Sequence, residues 1–215
     1  MKFFQVFLFV FFLACEMGWP QSPSADLRTA DFKNFSYPWA HPDGWPDHLQ
    51  WMSLRLKQRI QLVNGKWDER DDSDKADGVQ FSGLTLEGVQ FARLTGGHSE
   101  DAIVVLRFDS GGTQYHYWVY IYGELGGTPK LLGFFHAGDR AAHGLYRVFE
   151  KDRILNVDLF DPKFETGDCC STGYLNYQFR WNGEGFGAIG NPVPGRTDSV
   201  SRRPVSVFGL PTDPP

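Results

Sequence analysis

The chain reads as all-β, a single antiparallel sandwich or partly open barrel of about nine strands. Three observations carry that expectation. Aromatic residues make up 16% of the sequence, and 24 glycines and 13 prolines suit short strands joined by tight turns. Two runs, AIVVLRF and YHYWVYIY, flank a polar loop with two glycines and predict a central hairpin near residues 102–122. No segment of useful length keeps a helical period.

The totals set the frame for these elements. With 215 residues, 41% hydrophobic and 22% charged, one core-forming domain with tails is expected. The formal net charge of −5, with no basic stripe, excludes electrostatic capture of nucleic acid. Any membrane contact then comes through a lipid anchor.

At the N-terminus Lys2 precedes FFQVFLFVFFLA, an apolar run too short to span a bilayer, which predicts a signal peptide over residues 1–14. Residues 12–15, Phe-Leu-Ala-Cys, resemble the lipobox of bacterial lipoproteins, with Cys15 as the lipidated residue. Lipidation and simple secretion both fit, and both place the protein in the periplasm, at the cell surface or outside the cell. Cleavage removes Lys2 and no acidic residue, moving the net charge from −5 to −6. Three cysteines in an exported chain leave one over, and Cys15 is that one. The adjacent pair Cys169 and Cys170 would form a strained vicinal disulfide, because consecutive Cα atoms sit about 3.8 Å apart, below the usual disulfide range of roughly 4.4–6.8 Å.

Residues 15–30 read as a flexible tether, 31–191 as the β-domain and 192–215, rich in Pro, Ser and Gly, as a disordered tail. Within the domain, 31–39 reads as an edge strand or extended arm, and 54–63 alternates apolar and polar residues ahead of the hairpin signal Asn64-Gly65. The acidic stretch 70–78 misses calcium-loop spacing, because Ala76 takes the third ligand place. Further strands are expected within 81–94, 130–136, 145–149, 154–160, 174–181 and 186–189. In 174–181, Leu175, Tyr177, Phe179 and Trp181 share one face, the mark of a strand half-buried on a core.

The segment LTGGHSEDAIVVL, with YHYWVYIYG, FFHAGDRAAHGLYRVF and GDCCSTGYLNYQFRWNG, is similar to an uncharacterised family of secreted or lipid-anchored bacterial envelope proteins. That family carries a degenerate FG-GAP-like motif, L-T-G-D-G-x-x-[DE]-A-I-V-V-L. The resemblance implies an exported β-domain and no established activity. Where calcium-loop relatives alternate carboxylates, this chain has Thr95, Gly97 and Ser99, with Glu100 and Asp101 as the strong oxygen donors.

Two functional classes follow. The first is a non-catalytic module that binds an envelope protein or a cell-wall glycan through loops and aromatic side chains, with Trp118, Tyr120, Tyr122, Asp139 and Arg140 as binding candidates. The second is a glycan-directed hydrolase using two of Asp158, Asp161, Glu165 and Asp168 as acid and base. His136, Asp139 and His143 contain zinc-ligand types at a spacing that matches no zinc signature. No metal and no cofactor are therefore expected, and the pattern leaves the oligomeric state open.

Overall fold

A computed structural model describes residues 26–40, 49–69, 82–97, 99–110, 115–138, 143–164, 172–197 and 207–208. It is an all-β fold, as the composition and periodicity predicted. The central hairpin forms as expected, from β6 (Asp101–Asp109) and β7 (Tyr115–Leu125), with Val104 opposite Tyr120 and Leu106 opposite Trp118. Around it grow β5 (Gly83–Ala92) and β8 (Thr128–Ala137), then β4 (Lys66–Asp68) and β2 (Gln50–Trp51) at the two edges. The resulting six-stranded antiparallel sheet, ordered β2-β8-β7-β6-β5-β4, curls into a half-barrel.

Both faces of this sheet are covered, which is why β6 is an unbroken apolar run instead of an alternating one. On one face Val104, Leu106, Trp118, Tyr120, Tyr122 and Phe134 pack against the N-terminal segment through Leu27, Phe32, Tyr37, Trp39, Ile60 and Leu62. That segment consists of two 3-10 turns, Leu27–Thr29 and Phe32–Asn34, and a two-stranded ribbon of β1 (Ser36–Pro38) and β3 (Arg59–Gln61). On the other face Ile103, Val105, Val119, Ile121 and Phe135 meet a second sheet through Val148, Leu155, Val157, Leu159 and Phe179. The second sheet contains β9 (Leu145–Lys151), β10 (Ile154–Phe160) and β11 (Gly173–Trp181), with β12 (Phe186–Ala188) and β13 (Val193–Arg196) both pairing along the far side of β11. Each large side chain taken fully out of water contributes about 1.5–3 kcal/mol, so the central sheet holds the fold from both sides.

Tight turns set the registers. Asn64 and Gly65 take φ values of 53° and 80°, closing the Val63–Lys66 bridge as the hairpin signal predicted. Asp152 and Arg153 adopt the same left-handed pair, with φ of 55° and 60°, between β9 and β10; the Glu150 carboxylate accepts the Arg153 N–H at 2.7 Å.

Three boundaries differ from the sequence expectation. Residues 54–58 form a turn and loop, and only Arg59–Gln61 enters a strand, because β3 pairs with the short β1. The expected tether ends early, since Leu27 is buried in the core. The expected disordered tail contains β13, whose backbone extends β11, and Val207 and Phe208 pack on the core between the sheets. Proline and glycine at Pro194 and Gly195 are tolerated there because β13 is an edge strand.

Candidate functional site

The loop between β5 and β6 is organised by one side chain. Asp101, at the start of β6, accepts the Leu94 and Thr95 backbone N–H groups, each at 2.8 Å, and the Thr95 hydroxyl at 3.0 Å. Its carboxylate is buried, which pushes its pKa up, and these donors pull it back down. Gly96 takes φ of +78°, the left-handed turn conformation expected of this glycine. The backbone of β7 comes close beneath: a β-carbon on Gly123 would stand 2.8 Å from Leu132 Cδ1 and 3.2 Å from Asp101 Oδ1. A larger residue here would push the Leu132 side chain aside and crowd the Asp101 carboxylate.

Beside this loop lies a cleft of about 340 Å³, lined by Thr95, Gly97, Ser99, Asp101 and Gly123, by the tip of the β7–β8 hairpin through Glu124, Leu125, Lys130 and Leu132, and by Trp181. Its size falls in the usual range for a small-ligand site, about 300–1,000 Å³. Glu124 fixes the hairpin tip: its carboxylate accepts the Gly127 N–H at 2.6 Å and the Ser99 hydroxyl at 3.4 Å. Trp181 ends β11 where the strand runs past the core, and its ring is braced edge-on by Phe186 at 5.2 Å. The cleft therefore combines a half-exposed aromatic wall, two carboxylates already held by the protein, two hydroxyls and a lysine.

No family model, curated protein or solved structure matches this chain. The cleft's function is accordingly argued from its chemistry alone.

The sequence-predicted site residues fall elsewhere. Trp118, Tyr120 and Tyr122 are buried in the core and present no binding surface, because the N-terminal segment covers their face of the sheet. Tyr120 donates to the Pro38 carbonyl at 2.8 Å, and burial raises its pKa. On the opposite face of β7, Tyr117 packs against the second sheet, so neither aromatic set is free; Tyr115, at the strand's start, is the exposed one.

Of the four carboxylates proposed for acid and base, Asp158 and Asp161 lie among the described residues. Asp158 is fully buried on the outer face of the second sheet, where the Arg147 guanidinium and the Asn176 amide hold it. Burial raises its pKa, and the Arg147 contact opposes that rise. Arg147 also donates to the Tyr174 hydroxyl at 3.2 Å and lies over the Tyr146, Phe149 and Tyr174 rings, a packed ion pair closed to substrate. Asp161 lies three positions on, past the end of β10, and caps the following turn by accepting the Lys163 N–H at 3.0 Å. Glu165, Asp168, Cys169, Cys170, Asp139, Arg140 and Cys15 lie outside the described residues.

His136 meets His116 instead of His143. Their Nε2 and Nδ1 atoms are 3.0 Å apart, and the His136 ring stacks on Trp118 at 4.7 Å. Burial, with the His116 charge second, pushes the His136 pKa down to about 4. His143 sits in a turn with φ of 53°. Among the described residues, no group of three or more His, Cys, Asp or Glu side chains is arranged to hold a metal ion.

Glu124, Lys130 and Trp181 escaped the sequence reading. The alternation over 174–181 assigned Trp181 to the buried face, and that face is indeed inward; the end of β11 simply outruns the core, a fact of packing that no local pattern carries.

Proposed function

We propose that this chain is an exported binding module of a bacterial envelope, lipid-anchored through Cys15 or secreted free, whose cleft at Trp181 takes a sugar ring of a cell-wall glycan. The observation that carries this reading is the cleft itself. A half-exposed indole offers an apolar face to a pyranose, while Glu124, Ser99 and Thr95 present oxygen atoms to its hydroxyls. Export rests on the charged and apolar N-terminus with Cys15 behind it. A binding role is favoured over hydrolysis because Asp101 and Glu124 are tied to backbone N–H groups, and Asp158 is fully buried against Arg147.

The test is retention on insoluble cell-wall glycan. The mature protein is expected to sediment with the glycan, and Trp181→Ala to stay in solution while melting cooperatively as the parent does. Equal sedimentation of both proteins would remove Trp181 from the binding surface.

A further inference from the structure

The partners of the charged groups around the cleft divide them into two sets. Asp101 is satisfied by two backbone N–H groups and the Thr95 hydroxyl, and Glu124 by the Gly127 N–H and the Ser99 hydroxyl. Their oxygens are already hydrogen-bonded by neutral donors within the loop and the hairpin tip, and each carboxylate keeps its charge. Lys130, opposite Gly123 on β8, lines the same cleft, is exposed, and has no ion-pair or hydrogen-bond partner for its ammonium among the described residues. On the other side of the loop Arg153 reaches over Gly96, its Nη1 atom 3.4 Å from where a β-carbon of that glycine would stand; its guanidinium also has no acidic partner among the described residues.

We infer that the ligand's ring carries a carboxylate, which Lys130 binds while Trp181 packs against the ring, with Arg153 adding positive potential at the loop's outer side. An ammonium offers three donors and no acceptor, so an unpaired lysine in a site selects for an anion. A ligand's hydroxyl donors then go to the lone pairs of the Thr95 and Ser99 hydroxyl oxygens, whose own protons are given to Asp101 and Glu124. The two bound carboxylates disfavour a ligand anion beside them, so Lys130 is the group in the cleft that would receive it. The ligand class is therefore an acidic sugar, a uronic acid or a sugar bearing a carboxylated substituent. This inference rests on the sugar-binding reading of the same cleft.

Galacturonate oligosaccharides and uncharged galactose oligosaccharides of equal length, titrated calorimetrically into the mature protein and its Lys130→Met and Trp181→Ala variants, separate the two ideas. The expected result is that the acidic series binds at least tenfold more tightly than the neutral one at low salt. Lys130→Met should erase that preference, and added salt should weaken only the acidic series. Lys130 is exposed, so the variant should fold, and an unchanged melting profile verifies it. Equal affinity for both series, or a preference that persists in Lys130→Met, would overturn the carboxylate and leave the sugar-binding reading standing. Failure of both series to bind would overturn both.

Discussion

Acidification perturbs this fold at an identifiable place, the half-buried His136 imidazole stacked on Trp118 and His116. In the folded chain its pKa is depressed from 6.5 to about 4, first by burial and then by the charge of His116. Below pH 6.5 the unfolded chain takes up a proton that the folded chain refuses. Stability contributed by the neutral ring is therefore complete above 6.5 and lost as pH falls toward 4. The gap of about 2.5 pH units, at 1.36 kcal/mol per unit, corresponds to a loss of about 3 kcal/mol, a large share of the 5–15 kcal/mol typical of a domain. Urea unfolding of the parent and of His136→Phe at closely spaced pH values isolates this contribution. The parent should lose stability more steeply than the variant between pH 6.5 and 4, by up to one proton equivalent. Parallel curves, or an NMR titration of His136 with a midpoint near 6.5, would show that the ring is not held neutral by its surroundings.

Three further outcomes are expected. Arg147→Met leaves the fully buried Asp158 carboxylate without its counter-charge and should cost about 3 kcal/mol in urea unfolding, against less than half of that for Arg147→Met with Asp158→Asn, where no charge is stranded. Val104→Ala or Trp118→Ala should each cost roughly 2–5 kcal/mol, since both side chains are buried in the face that packs on the N-terminal segment, and a near-neutral result would misplace that core. Labelled palmitate should enter the precursor in a bacterial host and should not enter Cys15→Ala; incorporation into both would remove the lipid anchor.

The class of fold was legible because it is written in local patterns: the AIVVLRF and YHYWVYIY runs pair as β6 and β7, and Asn64-Gly65 turns as such a dipeptide should. Which faces are covered was not legible. A strand buried on both faces and one buried on a single face can carry the same aromatic residues, and the part of the N-terminal segment that holds Leu27, Phe32, Tyr37 and Trp39 lies more than eighty positions upstream of Tyr120 and Tyr122, where it looks like an unattached arm. Aromatic density accordingly marked the core instead of the binding surface. The site was half visible. The TGGHSED loop stood out in the sequence, but the role of Asp101 as its internal cap depends on backbone N–H groups six and seven residues away. The union of that loop with Lys130 and with Trp181 depends on two hairpins and a second sheet meeting at one corner. Asp158 misled for the opposite reason: an acidic residue beside a loop reads as solvated or catalytic, whereas its neighbours across the sheet, Arg147 and Asn176, bury and neutralise it.

The most direct test of the sugar-binding cleft is NMR shift mapping of the mature protein titrated with soluble cell-wall glycan fragments. The largest perturbations should gather at Thr95, Ser99, Glu124, Lys130 and the Trp181 indole N–H, and should be absent from Tyr146 and Tyr174 on the outer face of the second sheet. Perturbations centred on that outer face, with Trp181 unmoved, would contradict the assignment.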